Sequence, residues 1–156
     1  MTSQDYLEWY LNPLPEFGGV YNGTNITEFA PLSYPCGIIV NLDDEDEAGS
    51  HWVSLYFKRR SVIYFDSFGR SCSKLTILYK LQRLGYTKYF YNTKPIQHIL
   101  SSFCGYFAMG FILSGVAGLT LPGFLDLFKL SSLDNDAQIV KCLNLWSSRY
   151  LTEYKQ

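Results

Sequence analysis

From Pro95 to Leu125 the chain carries no Asp, Glu, Lys or Arg, and the middle of that stretch, Cys104 to Val116, is almost wholly apolar. A chain of 156 residues that contains such a segment must put it at its centre, with the remaining elements arranged to cover it. A membrane span is the competing reading, because Phe103 to Leu125 is 23 uncharged residues long. Pro122, five glycines and scattered Ser and Thr dilute its hydropathy, and clustered Lys or Arg anchors are missing from its flanks. It therefore reads as a buried helix, with no membrane partner. With 47% hydrophobic and 17% aromatic residues, a single domain over residues 1–156 can bury a proper core around it.

The rest of the chain supplies recognisable cover. Ser3 can cap a short helix that runs to about Leu11, ended by Pro13 and Pro15. A loop rich in Gly, Asn and Pro follows. Cys36 to Leu42 reads as a buried strand, and Asp43-Asp44-Glu45-Asp46-Glu47 as a solvated loop, since adjacent carboxylates repel one another. Trp52 to Phe57 and Ser61 to Asp66 are β-rich runs separated by Lys58-Arg59-Arg60, the pattern of a hairpin with a basic turn. Such a hairpin, entered at His51 and left at Asp66, brings those two residues side by side. Leu75, Leu78, Leu81 and Leu84 recur at helical spacing before Gly85, so an amphipathic surface helix is expected, then a strand from Tyr86 to Thr93. A C-terminal helix capped by Asp134 or Asp136 would carry Ile139, Cys142, Leu143, Trp146 and Tyr150 on one face.

Net charge is −1, but the charges are unevenly placed. Five of the fourteen acids lie in the run from Asp43 to Glu47, whereas Lys58 to Lys94 holds nine basic residues against Asp66 alone, a local excess of +8. Lys58, Arg59, Arg60, Arg70 and Lys74, interleaved with aromatic residues, fit either ordinary solvated faces or a nucleic-acid contact. The N-terminal residues lack the basic start and apolar run of a secretory signal, which points to a reducing intracellular setting without disulfides. Cys36, Cys72, Cys104 and Cys142 are widely spaced and only two histidines accompany them, so no metal site is expected.

One set of residues carries chemistry. Cys104 would open the buried helix, where unpaired N–H groups and the helix dipole favour a thiolate. His51 can serve as its base and Asp66 can orient that base, while Gln97 can donate to an oxyanion. Each has an ordinary alternative. Cys104 could be a small core residue, Asp66 a turn residue in Asp66-Ser67-Phe68-Gly69, and Gln97 a loop amide. His98 is a rival base, six residues before the thiol, but it has no carboxylate nearby in sequence.

The joint pattern of His51-Trp52, Tyr64-Phe65-Asp66-Ser67-Phe68-Gly69 and Gln97 seven residues before Cys104-Gly105-Tyr106-Phe107 resembles the adenovirus maturation protease (adenain) family. It is similar also to the wider group of SUMO-specific cysteine proteases. The resemblance covers about residues 37 to 117. It implies an α+β, papain-like cysteine protease fold of the adenain/SUMO-protease type, a central mixed sheet packed by helices, with Cys104 as nucleophile at a buried helix N-terminus. It further implies His51 as base, Asp66 as orienting carboxylate, Gln97 with the Cys104 N–H as oxyanion hole, and Trp52 and Gly105 along a narrow substrate channel that favours glycine. The expected function is that of an endopeptidase cutting viral capsid or structural precursors in the virion and host cytoplasm or nucleus. No cofactor is required, though DNA or a peptide serves adenain as activator. A protease for ubiquitin-like modifiers, or a non-catalytic nucleic-acid- or capsid-binding protein, stays open as an alternative.

Overall fold

The computed structural model describes residues 3–43 and 51–151, so the acidic run beyond Asp43 lies outside the described residues. The fold is α+β. Five strands form one mixed sheet in sequence order: β1 (Phe17–Asn22), β2 (Cys36–Asn41), β3 (Trp52–Phe57), β4 (Val62–Phe65) and β5 (Phe90–Tyr91). β3 runs antiparallel to both its neighbours, β2 and β4, and the outer pairs β1/β2 and β4/β5 are parallel. Helices α1 (Gln4–Leu11), α3 (Cys104–Val116), α4 (Leu121–Leu125) and α5 (Asp134–Tyr150) share one core with a single face of the sheet, and α2 (Leu75–Arg83) with a 3-10 turn at Asn25–Glu28 covers the other.

Side-chain alternation explains these two layers. Ile39, Trp52, Tyr56 and Phe65 face the helical layer, whereas Ile38, Val40, Val53, Leu55, Phe57, Val62 and Tyr64 face α2 and the 3-10 turn. Both faces are covered, which is why the β2, β3 and β4 sequences are nearly continuous apolar runs. The uncharged helix α3 lies between sheet and α5, with ten of its thirteen residues buried. It ends at Val116, and among the described residues no helix is long and apolar enough to cross a membrane.

Close approach of α3 to the sheet depends on Gly37 in β2. A Cβ added there would stand 2.9 Å from Cγ2 of the fully buried Ile112. Gly85, at φ +96°, terminates α2 as expected.

Several sequence expectations need correction. The Gly- and Asn-rich segment after α1 contains β1, a strand with a single buried side chain, Val20, and an irregular register around Gly19 at φ +115°. Its pairing with β2 holds it in place, and no hydrophobic alternation announces it. β5 occupies only Phe90–Tyr91 of the expected 86–93. In α2 the buried residues are Ile77 and Leu81, and Leu75 is 78% exposed. Neither Asp134 nor Asp136 caps α5: the Asp134 N–H donates to Ser132 Oγ, its carboxylate pairs with Lys129, and Asp136 is used elsewhere.

Replacing Gly37 by Ala is expected to lower stability by about 1–3 kcal/mol through overpacking against Ile112. Thermal denaturation should show it as a fall of some 2–4 °C per kcal/mol for a chain of this size. An unchanged melting temperature would contradict the packing of α3 on β2.

Candidate catalytic site

The β3/β4 hairpin sets the geometry. Register pairs Ser54 with Phe65, so His51, just before β3, and Asp66, just after β4, emerge at the same end of the sheet. His51 Nε2 donates to Asp66 Oδ1 at 2.9 Å. The same carboxylate oxygen accepts the Phe68 N–H at 2.8 Å, and the Gly69 N–H closes the turn onto the Asp66 carbonyl. The turn contacts of Asp66 and its bond with His51 are therefore one arrangement. Gly69 is required in it, because φ is +74° and a Cβ would meet the Thr93 carbonyl oxygen at 2.7 Å.

Burial alone would lower the pKa of His51, but hydrogen bonds with Asp66 and Cys104 outweigh it and push the imidazole up to about 9. With Nε2 held by Asp66, Nδ1 is the nitrogen left to face the thiol. Cys104 opens α3, which puts the thiol at the positive end of the helix dipole, and the N-cap Phe103 provides no side-chain hydrogen bond there. The Phe68 ring lies 5.1 Å from the imidazole, and the Arg70 guanidinium sits 5.0 Å over the Phe68 ring.

Gln97 is 2% exposed and held at both ends of its amide. Ser67 Oγ donates to Oε1, which fixes the amide orientation, and Nε2 donates to the Ser101 carbonyl at 2.9 Å. Nε2 also makes a longer, 3.4 Å approach to Ser101 Oγ. The backbone N–H groups of Ile96 and Gln97 both donate to the Ser67 carbonyl, so the Gln97 loop is tied directly to the Asp66 turn. His98 serves its own loop, Nδ1 accepting the Leu100 N–H at 3.0 Å.

A second set of polar residues, given no part in the site by the sequence, braces this arrangement. Asn92, 2% exposed, donates through Nδ2 to the Asp66 carbonyl at 2.7 Å and accepts the Asp66 N–H at 3.1 Å. It continues the β4/β5 ladder with a side chain where the parallel pairing stops. Asn135 Nδ2 donates to the Ile96 and Lys129 carbonyls, and Asp136 accepts from Ser101 Oγ. Lys94 Nζ donates to the Leu125 and Phe128 carbonyls. The available signal was a buried position for an amide or carboxylate, which a sequence does not display.

The remaining candidates separate. Trp52 is 4% exposed and packs in the helical core, and Gly105 is buried in the first turn of α3. Lys58, Arg59 and Arg60 are exposed at the hairpin turn, roughly 20 Å of strand away from the end that carries Arg70. Lys74 begins α2. The basic residues therefore do not gather into one patch. Among the described residues no three His, Cys, Asp or Glu side chains gather as a metal site would need, and the four cysteines are unbridged.

No protein-family model matches this chain, and no curated protein matches it either. Solved structures do resemble it in fold. The ASFV pS273R protease aligns with TM-score 0.52 at 18% identity over 70% of this chain, which spans 43% of that protein's length. The SUMO protease Ulp1, with its catalytic cysteine oxidised to a sulfonic acid, gives TM-score 0.59 at 16% identity, covering 99% of this chain and 79% of its own. The central domain of the uncharacterised Lpg1148 protein from Legionella pneumophila gives TM-score 0.54 at 15% identity, covering 94% and 97%.

An NMR titration of His51 should have its midpoint near pH 9, and Asp66→Asn should bring it down, because burial then acts with less opposition. Since the folded pKa is raised, the pairing contributes stability that is complete below about pH 6.5 and is lost as pH rises toward 9. Asn92→Ala should cost about 1–3 kcal/mol by leaving buried Asp66 backbone groups without partners. It should also shift the His51 midpoint, which a purely structural brace far from the carboxylate would leave alone.

Proposed function

We propose that this chain is a cysteine endopeptidase, with Cys104 as nucleophile and His51 as the general base and acid. The observation that carries the reading is that one imidazole joins Asp66 on one side and Cys104 on the other, with the thiol at the start of a buried helix. In the reaction the Cys104 sulfur attacks a peptide carbonyl, forming a C–S bond as the oxygen takes up negative charge. His51 then gives its proton to the leaving amine, and later draws one from the water that hydrolyses the acyl-enzyme. Gln97 would hold the oxyanion together with the Cys104 N–H, for which its Nε2 must release the Ser101 carbonyl or use its second proton. Trp52 and Gly105 would line the substrate channel, with glycine favoured before the cut.

For substrates we propose capsid or structural precursors of a virus or virus-like element, cut in the virion or in the infected cell. The occurrence of a viral protease among the structures of similar fold supports this, and that of SUMO proteases supports deconjugation as the second reading. No cofactor is needed for the steps above. A DNA activator would meet Lys58, Arg59 and Arg60 on the exposed hairpin turn, and loss of DNA binding with added salt would be its signature.

Incubation with the structural proteins encoded beside this chain, and separately with a ubiquitin-like protein extended beyond its C-terminal glycine, distinguishes the two substrate classes. Cleavage should vanish in Cys104→Ala, and Gln97→Ala should lower kcat by about 10²–10³ if it acts like other oxyanion donors. Iodoacetamide should label Cys104 much faster than Cys36, Cys72 and Cys142; equal slow labelling of all four would sink the enzymatic reading.

A further inference from the structure

The end of the sheet opposite the catalytic residues carries a cleft of about 490 Å³, within the range of roughly 300–1,000 Å³ usual for sites that hold small molecules. Its floor is made by Tyr56 of β3 and Phe111 of α3, whose ring centroids are 6.3 Å apart and which are 4% and 3% exposed. Gly115 permits this floor, because a Cβ there would stand 2.9 Å from Tyr56 Cζ. Ile63 of β4, and Leu119 and Leu121 where α3 passes into α4, form half-buried apolar walls. The rim differs in kind. Lys58 and Arg59 border it, both exposed, and the Arg59 guanidinium lies 5.7 Å over the ring of Tyr34, a further wall. Among the described residues no carboxylate pairs with either cation.

The interior, unlike the rim, disfavours negative charge. Burial first, and then the charge of Glu16, push the Tyr56 hydroxyl pKa upward, although Glu16 is not itself a wall of the cleft. The carbonyl end of α3, which is the negative end of its dipole, also borders the cleft at Gly115. Floor and rim together therefore select an occupant with two parts. An apolar body displaces water from the faces of Tyr56 and Phe111, while a carboxylate stays at the rim, where Arg59 can hold it through two N–H groups and Lys58 as a point charge. The same body carrying a cation would be repelled there, and a short anion would leave the floor wet. We propose that this cleft binds a small organic carboxylate with an apolar tail, of which a medium-length alkanoate is the simplest example. The proposal does not depend on the endopeptidase reading: no catalytic residue lines the cleft, and Phe111 stands seven residues along α3 from Cys104.

Isothermal titration calorimetry on the full chain, with each ligand below its micelle concentration, compares decanoate, hexanoate and decyltrimethylammonium. Decanoate should bind about tenfold more tightly than either of the others. In protein labelled at its Ile and Leu methyl groups, NMR should show decanoate shifting Ile63, Leu119 and Leu121, while Ile99 and Leu100, exposed in the loop before Cys104, stay unchanged. Lys58→Gln combined with Arg59→Gln, exposed changes whose folding circular dichroism verifies, should remove the preference for decanoate over decyltrimethylammonium. Absence of decanoate binding, or equal binding of decanoate and either comparison ligand, would overturn the proposal. So would a preference that survives the double substitution, or decanoate shifts confined to Ile99 and Leu100, since the ligand would then sit elsewhere.

Discussion

The structure depends on the burial of α3. Its thirteen residues carry no charge, and they pack between a sheet and α5 at distances that leave no room for a side chain at Gly37. That constraint fixes the start of the helix, and with it Cys104, relative to the ends of β3 and β4. The two halves of the site are thus positioned by different means. The thiol is located by hydrophobic packing, while His51 and Asp66 are located by strand register and then joined by a hydrogen bond. The two halves are held together where β3 packs on α3, with Ser54 Oγ donating to the Ala108 carbonyl, and at the imidazole, whose raised pKa reflects its bonds to both Asp66 and Cys104.

Much of this could be read from the residues alone, for identifiable reasons. α3 was bounded at Cys104 and Val116 by composition, and the hairpin by two β-rich runs around a basic turn. Both are cases in which local preference and tertiary role agree. β1 was missed because its two glycines and single buried side chain give no pattern, and only the neighbouring strand makes it one. Of the expected face of α2, Leu78, Leu81 and Leu84 pack on the core, whereas Leu75, at the start of the helix, is exposed and Ile77 takes the buried position.

The triad candidates were legible by type and order, but their supports were not. Asn92, Ser67, Ser101, Asn135 and Asp136 act through hydrogen bonds between segments distant in the chain, and small polar residues of this kind look like loop composition in one dimension. Charge was misleading for the same reason. Lys80 and Lys94 contribute to the apparent basic stretch, yet each ammonium group is committed to two backbone carbonyls, Lys80 to Thr27 and Phe29 and Lys94 to Leu125 and Phe128. Their charge remains, but these two ammonium groups are held by the fold and are not free to reach toward a partner.

The bond from Ser101 to Asp136 has a bearing on when the site comes into being. His51, Asp66, Gln97 and Cys104 are all synthesised before α5, yet the loop that holds the Gln97 amide is moored to the first turn of that helix by Asn135 and Asp136. On the ribosome, the chain would pass through a stage in which Cys104, His51 and Asp66 have all emerged but the loop that holds the Gln97 amide is still unmoored. Such an order of assembly makes the mooring of the Gln97 amide one of the last contacts the fold acquires, and ties the geometry around the thiol to completion of the C-terminal helix.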